Sequence, residues 1–340
     1  MNKVKVGILG ATSYTGLELI KILSRHPSVE ITFISSQSYA SKQIAEIFPS
    51  LKGIFDDILI SPQEAQSRSA ECIFSCLPHA VSAGLLIPFI EKGIKIVDLS
   101  ADFRIENTDT YKSWYKIDHP APEYLKNAVY GLPEFYRGKI ANASLIANPG
   151  CYVTSILLPL LPLFESQPEK VEMLIADSKS GVSGAGRSLK LNTHFVEANE
   201  NFSAYSIGHT HRHTPEIEQE LSKAAKRDIS LTFSPHLLPI NRGILSTIYI
   251  KTELSAEECY SIAANRYKNE PFVRLRDPSD LPAISNIAHT NFCDISFTGG
   301  QNGHPVIAVS TLDNLIKGAS GQAVQNFNIM FGQPETNGLS

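Results

Sequence analysis

Val4-Lys5-Val6-Gly7-Ile8-Leu9-Gly10-Ala11-Thr12-Ser13-Tyr14-Thr15-Gly16 is the stretch that decides the first half of the fold. Its apolar run has strand length and ends on glycine. Leu17, Leu19, Ile20, Ile22 and Leu23 then recur at helical spacing, which predicts a helix that Pro27 stops. Residues 29–35 read as the next strand. Strand, glycine turn, helix and strand open a doubly wound parallel sheet. Glycines in such a turn let the backbone approach a pyrophosphate, and the helix N-terminus attracts its charge. Gly7, Gly10, Ser13 and Gly16, with Thr12, Tyr14 and Thr15 on the same turn, therefore predict a dinucleotide site. A tight turn that holds no ligand is the competing reading.

The second strand ends in Phe33-Ile34-Ser35-Ser36-Gln37-Ser38. NAD-selective folds place Asp or Glu here to bind the ribose 2′-hydroxyl. Ser35 and Ser36, with Lys42 nearby, tolerate the anionic 2′-phosphate that a carboxylate would repel. They predict NADP as the cofactor, unless they are simply solvated loop residues.

Further strands are expected at 72–77 and 94–99, with a helix at 81–92 between them. Residues 101–147 read as irregular, and a connection of that length is expected to lie over a site. A very apolar helix follows Gly150, and Pro159 and Pro162 should kink it or end it early. Beyond it, strands are expected at 171–179, 230–238 and 243–251, and helices at 215–226 and 256–267. An amphipathic segment at 315–330 is long enough to return to the first domain, and the tail 333–340 should fray. The fold class is thus α/β, a Rossmann-type parallel sheet plus a second α+β domain with a mixed, largely antiparallel sheet. The first domain takes 1–149 with 313–340, and the catalytic and oligomerisation domain takes 150–312.

A chain of 340 residues is too long for one typical domain. The net charge of -4 offers no basic footprint for nucleic acid, and no apolar run reaches the length of a membrane span. The N-terminus enters a strand without a signal-peptide pattern. Cysteines stand at 72, 76, 151, 259 and 293. An odd count without a Cys-x-x-Cys pair argues against a disulfide framework or a structural zinc site and suits the reducing cytoplasm.

Asn148-Pro149-Gly150-Cys151-Tyr152 places one cysteine at the start of the apolar helix. Backbone N–H groups and the helix dipole there stabilise a thiolate. Cys151 is either a nucleophile or a small buried residue, and the other four cysteines read as packing. Gly208-His209-Thr210-His211-Arg212-His213-Thr214-Pro215-Glu216 is the other dense site. Three alternating histidines would share one face of a strand, which raises a metal reading, although no further ligand stands at supporting spacing. Thr214 and Pro215 predict a helix start, with Thr214 as the cap. His213 beside that positive end stays neutral and suits acid/base work, or else it is a surface histidine. The glycine-rich loop at 179–187 could wrap a cofactor or an anion, or be merely flexible. Arg104, Arg187, Arg212 and Arg242 are candidates for binding a carboxylate or phosphate.

Several segments together resemble the N-acetyl-gamma-glutamyl-phosphate reductase family. They are the 7–16 turn, Cys76-Leu77-Pro78-His79, Leu99-Ser100-Ala101-Asp102-Phe103-Arg104 and Tyr130-Gly131-Leu132-Pro133-Glu134. Asn148-Pro149-Gly150-Cys151-Tyr152, Ser180-Gly181-Val182-Ser183-Gly184-Ala185-Gly186, His211-Arg212-His213-Thr214-Pro215-Glu216 and Asp313-Asn314-Leu315-Ile316-Lys317-Gly318 complete the set, in order over nearly the whole chain. The resemblance implies Cys151 as nucleophile and His213 as acid/base. It implies cofactor contacts from Leu77, Pro78, Gly181, Ser183, Gly184 and Asn314, and substrate contacts from Arg104, Asn148, Ser180, His211 and Arg212. It further implies N-acetylglutamyl phosphate as substrate, phosphate as leaving group, and a homodimer or homotetramer. Ser13 departs from the family's more usual glycine and leaves the geometry of the turn open. Aspartate-semialdehyde dehydrogenase and the carrier-linked aminoadipate reductase of lysine synthesis are the nearest competing families. Cys151-Tyr152 and His211-Arg212-His213 argue against the first, and the net charge argues against the basic entrance that the second needs. A dinucleotide sensor without catalysis is a further alternative, disfavoured by the presence of both Cys151 and His213.

Overall fold

The short apolar runs of the first half pair side by side. β1 (Val4–Leu9), β2 (Val29–Ile34), β3 (Cys72–Ser75), β4 (Lys95–Asp98), β5 (Ala128–Tyr130) and β6 (Leu145–Ala147) form one parallel sheet in the order β2-β1-β3-β4-β6-β5. β3 and β6 are buried along their whole length, as strands covered on both faces must be. The chain runs from β1 out to β2, then crosses to β3 on the other side of β1. The carboxyl ends of β1 and β3 thus flank the crevice where open α/β sheets bind ligands. The computed structural model describes residues 3–339, so Met1, Asn2 and Ser340 lie outside the described residues. Two compact units divide the chain, Met1–Pro149 with Ala319–Ser340, and Gly150–Gly318.

In the first unit the helix Tyr14–Leu23 ends ahead of Pro27, the Ser24 N–H still reaching the Ile20 carbonyl. Residues 101–147 are not irregular. They carry the helices Thr108–Tyr115 and Pro133–Ile140 as well as β5 and β6. The aromatic residues that looked like loop composition are packed inside: Tyr111 is fully buried and its hydroxyl donates to Asp102 at 2.8 Å. The closing helix Gly321–Met330 is buried on every side rather than amphipathic. Its polar side chains are spent on internal hydrogen bonds: Gln322 and Asn326 donate to the Gly131 carbonyl, and Asn328 meets His26 at 2.9 Å. The residues after it are tied down rather than frayed. Glu335 pairs with Arg137, and Asn328 donates to the carbonyls of Glu335 and Asn337.

The second unit is built on β7 (Val171–Gly181), β8 (Ser203–Ala204), β9 (Thr232–Leu238), β10 (Ile244–Thr252), β11 (Val273–Leu275), β12 (Cys293–Gly299) and β13 (Val306–Leu312). Their order is β11-β12-β13-β10-β7-β9-β8. The centre is antiparallel, and β7–β9 and β11–β12 are parallel pairs. The helix Cys151–Ser166 lies on this sheet through small polar groups. Ser155 Oγ is 2.8 Å from Ser246 Oγ, which is 2.7 Å from Ser178 Oγ. Contrary to expectation, that helix runs through Pro159 and Pro162 unbroken. Pro162 has no N–H to give the Leu158 carbonyl, and the Tyr267 hydroxyl donates to that carbonyl instead. Asp313 and Asn314 belong with this unit, held by Arg242 and the Gly243 N–H, so the chain leaves it at Gly318. Among the described residues no helix is long and apolar enough to cross a membrane.

Candidate active site

Cys151 is the first residue of its helix, and Gly150, extended at φ -69 and ψ 148, is the cap. The Gly150 N–H donates to Glu216 Oε1 at 3.0 Å. Glu216 is buried and stands in the first turn of the helix Thr214–Ala225, whose cap is His213. Two helix starts are thereby joined, one carrying the thiol and the other the imidazole. Their closeness fixes the residue between them. A Cβ on Gly150 would lie 2.6 Å from His213 Nε2, 2.9 Å from Cε1 and 3.0 Å from Cδ2. The ring occupies the space a side chain would need, one residue before the sulfur. On the other side, a Cβ on Gly318 would lie 2.8 Å from Cys151 Cβ. Gly318 sits in a π-helical turn, Ile316–Ser320, a local widening that recurs at functional sites.

Cys151 is half-buried. Burial pushes the thiols of Cys76 and Cys259 up to about 12 and that of Cys72 higher still, which keeps them protonated and unreactive.

The three histidines do not lie on a strand. His209 has a left-handed backbone and meets Glu218 at 3.1 Å. His211 packs edge-on among Tyr152, Tyr205 and Phe233, and its ring centroid is 4.9 Å from that of His213. Burial, and then the charge of Arg212, lowers its pKa to about 4. The neutral ring accepts the His213 N–H on Nδ1 at 3.1 Å, which leaves the ring proton on Nε2. His211 therefore fixes the backbone of His213. Among the described residues no group of three His, Cys, Asp or Glu is arranged to hold a metal ion. The helix cap falls on His213, one residue earlier than expected, and Thr214 occupies the first helical position without capping.

The glycine-rich loop is held rather than loose. Asn314 Oδ1 accepts the Gly243 N–H at 2.7 Å, and its Nδ2 donates to Ser183 Oγ at 3.0 Å. A Cβ on Gly181 would lie 2.7 Å from the Arg242 nitrogen, and one on Gly184 would lie 2.8 Å from Ser180 Oγ. Ser180 is buried at the end of β7, and Arg242 pairs with buried Asp313. Arg187 and Arg212 are exposed.

At the dinucleotide end, Gly10 has φ +73, and a Cβ there would lie 2.7 Å from the Cys76 carbonyl and 3.2 Å from the Leu77 nitrogen. The ends of β1 and β3 meet at this glycine, with exposed Pro78 just beyond. Gly16 is pressed against the Ala11 carbonyl in the same way, at 2.6 Å. Ser13 is extended, not left-handed, which explains why glycine is not needed there. It caps the helix, accepting the Gly16 N–H at 2.9 Å and donating to the Gly10 carbonyl at 2.9 Å. Thr15 Oγ1 lies 3.0 Å from Ser13 Oγ, and the Ser320 hydroxyl braces the Thr15 carbonyl. Tyr14 is the first residue of that helix. Ser35 and Ser36 are buried rather than solvated, and Ser36 Oγ is 3.1 Å from Thr12 Oγ1.

Two expected substrate residues are tied into the first unit by hydrogen bonds. Arg104 is buried and donates to the carbonyls of Asn148 at 2.6 Å and Leu99 at 2.7 Å. Asn148 is fully buried, its amide shared between Ala319 and Asn326. Sequence reasoning gave no role to Gly150, Glu216 or Gly318. Glu216 carried the one available signal, an acid three residues after His213, but that is also an ordinary first-turn position.

Residues 5–143 match the family described as semialdehyde dehydrogenase, NAD binding domain, and residues 151–314 match the semialdehyde dehydrogenase, dimerisation domain. The chain is 48% identical over 341 residues to an N-acetyl-gamma-glutamyl-phosphate reductase of Pelotomaculum thermopropionicum, covering 99% of this chain and 98% of the relative. It is 46% identical over 342 residues to the protein of the same name from Desulfotalea psychrophila, with the same coverage. Among solved structures, aspartate semialdehyde dehydrogenase II of Vibrio cholerae complexed with ASA gives a TM-score of 0.73 at 17% identity, over 98% of this chain and 99% of that one. Aspartate semialdehyde dehydrogenase with NADP from Candida albicans gives 0.70 at 16% identity, over 97% and 99%. At such identities the likeness is one of fold.

Proposed function

The chain belongs to the N-acetyl-gamma-glutamyl-phosphate reductase family, and from that premise we propose that it reduces N-acetyl-gamma-glutamyl phosphate to N-acetylglutamate 5-semialdehyde and phosphate, with NADPH, in arginine biosynthesis. Its first unit carries a semialdehyde dehydrogenase dinucleotide-binding domain. The choice of NADP is supported by Ser35 and Ser36 at the end of β2, where no carboxylate stands to repel a 2′-phosphate. The cradle suits a pyrophosphate, because Gly10 and Gly16 have no room for a side chain and the helix after Ser13 presents its N–H groups. Five free cysteines suit the cytoplasm, and the dimerisation domain supports self-association.

The observation that carries the mechanism is the His213 ring lying over Gly150, beside the Cys151 helix start. The helix N-terminus favours sulfur in its anionic form. Cys151 Sγ attacks the acyl carbon, the C–O bond to phosphate breaks, and phosphate leaves with the electron pair. A thioester remains on the enzyme. When bound, NADPH supplies the hydride that reduces this carbonyl. The Cys151 N–H is the donor we assign to the developing oxyanion. His213 gives the thiohemiacetal oxygen its proton and takes it back as the C–S bond breaks, releasing the aldehyde and returning the sulfur. Arg104, Asn148, Ser180, His211 and Arg212 are assigned to the substrate. Leu77, Pro78, Gly181, Ser183, Gly184 and Asn314 are assigned to the cofactor.

The test is NADP reduction by the purified protein with N-acetylglutamate semialdehyde and phosphate. Activity must require phosphate and disappear in Cys151→Ser. A folded protein that binds NADPH yet turns over only aspartate semialdehyde would overturn the substrate assignment.

A further inference from the structure

The wall that β3 gives to the dinucleotide crevice continues past the strand as Cys76-Leu77-Pro78-His79-Ala80-Val81, and then enters the helix Ser82–Glu91. A Cβ on Gly10 would lie 2.7 Å from the Cys76 carbonyl and 3.2 Å from the Leu77 nitrogen, so this segment is the immediate neighbour of the glycine turn. It does not hold its own shape. The cap of its helix is Val81, whose side chain has no atom to accept an N–H. Ala80 has φ +67, a left-handed backbone that L-residues other than Asn and Asp seldom adopt. Such a residue persists only where its surroundings over-determine it.

What holds the segment comes from beyond the end of β4. Both oxygens of Asp102 are committed. Oδ1 accepts the Ala80 N–H at 2.7 Å and the Tyr111 hydroxyl at 2.8 Å, and Oδ2 accepts the Ala83 N–H at 3.0 Å. Asp102 thus grips the left-handed residue and also supplies the acceptor that the first turn of the helix lacks, where the helix dipole favours a carboxylate. A local cap would satisfy the helix but could not also take the Ala80 N–H.

Asp98, the last residue of β4, adds a second grip. Its Oδ1 accepts the Ser82 hydroxyl at 2.7 Å and its Oδ2 the Ser100 hydroxyl at 2.6 Å, while Ser100 Oγ accepts the Asp102 N–H at 3.1 Å. Both acids are fully buried. Inside the gripped segment, the Pro78 carbonyl accepts the N–H groups of Val81 at 3.3 Å and Ser82 at 3.2 Å. The hold on residues 80–83 is thereby passed to Pro78, two residues from the Gly10 contact.

We propose that Asp102 is a positioning residue for the cofactor: it fixes the conformation of Leu77 and Pro78, and through them the affinity for NADPH. The inference rests on the reading that NADPH binds at the Gly10 crevice with Leu77 and Pro78 on its wall.

Fluorescence titration of the full chain with NADPH tests it. Asp102→Asn keeps the shape of the side chain but leaves one acceptor oxygen where two are used, and turns an NH₂ towards a backbone N–H. It should raise the dissociation constant for NADPH on the order of 10–100-fold, the effect of leaving a hydrogen bond to a buried charged group unmade. Ala80→Pro removes the same N–H from the half-buried loop and forbids a positive φ. It should cause a similar loss, and it decides the matter should Asp102→Asn not fold. In both variants the alkylation of Cys151 by iodoacetamide, followed on its peptide by mass spectrometry, should keep its wild-type rate within about twofold, because the thiol belongs to the other unit. A merely structural role would move both readouts, so an alkylation rate that changes in step with NADPH affinity would overturn the positioning role. Wild-type affinity in either folded variant would overturn it as well. A wild-type chain that binds no NADPH would instead sink the cofactor reading on which the inference rests.

Discussion

Gly150→Ala isolates the contact on which the proposed chemistry depends. The new Cβ would lie 2.6 Å from His213 Nε2, 2.9 Å from Cε1 and 3.0 Å from Cδ2. Carbon contacts are comfortable from about 3.5 Å, so the ring must retreat by roughly 1 Å. The backbone at φ -69 and ψ 148 suits any L-residue, so the substitution brings no conformational strain. Poorer capping by alanine costs about 1 kcal/mol of stability at most. The catalytic effect therefore passes through the imidazole. Misplacing a catalytic group by about 1 Å costs on the order of 10²-fold in kcat, and removing His213 altogether costs roughly 10²–10⁴-fold. The assay is phosphate-dependent NADP reduction by wild type, Gly150→Ala, His213→Ala and the double variant. In the His213→Ala background the extra methyl has room, and it should cost less than about twofold more. If Gly150→Ala costs as much there as in wild type, the two losses are additive and the packing argument is refuted.

Cys151→Ser should lose all turnover while binding NADPH with unchanged affinity. Wild type given acyl phosphate without NADPH should release one phosphate per functional site in a burst, read by a phosphate-binding fluorophore; a burst retained by the variant would exclude Cys151 as nucleophile. Glu216→Gln should lower kcat and cost about 1–3 kcal/mol, because the Gly150 N–H loses a buried charged acceptor; thermal melts and kinetics on one preparation measure both. His211 has a folded-state pKa depressed to about 4 by burial and by Arg212. Its contribution to stability is therefore present above about 6.5 and is lost as pH falls through about 4, on the order of 3 kcal/mol in all. Denaturant melts of wild type and His211→Asn over that window should show a steeper acid loss in wild type, and equal slopes would remove His211 as the cause.

The dinucleotide half was legible because its signals are local. Gly10, Ser13 and Gly16 lie within one turn, and each is held by residues of the same strand–turn–helix unit or by the neighbouring end of β3. What misled was tertiary. Pro159 and Pro162 read as helix breakers, but the Leu158 carbonyl left bare by Pro162 is taken by Tyr267, more than a hundred residues away. The polar residues of Gly321–Met330 read as a solvent face, but Gly131, Asn148 and His26 receive them. Cys151 and His213 could be picked out singly, each at a helix start. Gly150 could not, since its need for a bare Cα comes from a ring 63 positions on, and sequence spacing carries no record of that approach.

The way the two helix starts are joined keeps the proposed nucleophile and the proposed acid/base group within one unit. Cys151, His213, Glu216, His211 and Gly318 all belong to the Gly150–Gly318 unit. Within it, Glu216 grips the N–H just before the thiol, and His211 grips the N–H of His213 itself. Both grips are on main-chain atoms, so they position the backbone that carries the sulfur and the imidazole. The proposed nucleophile and acid/base group are therefore positioned by one continuous piece of chain, which keeps the cost of reorganisation low. Substitutions in the 10–16 turn or at Ser36 should then slow hydride delivery and weaken NADPH binding while leaving thioester formation intact. Substitutions at Gly150 or Glu216 should instead slow turnover while leaving NADPH binding unchanged.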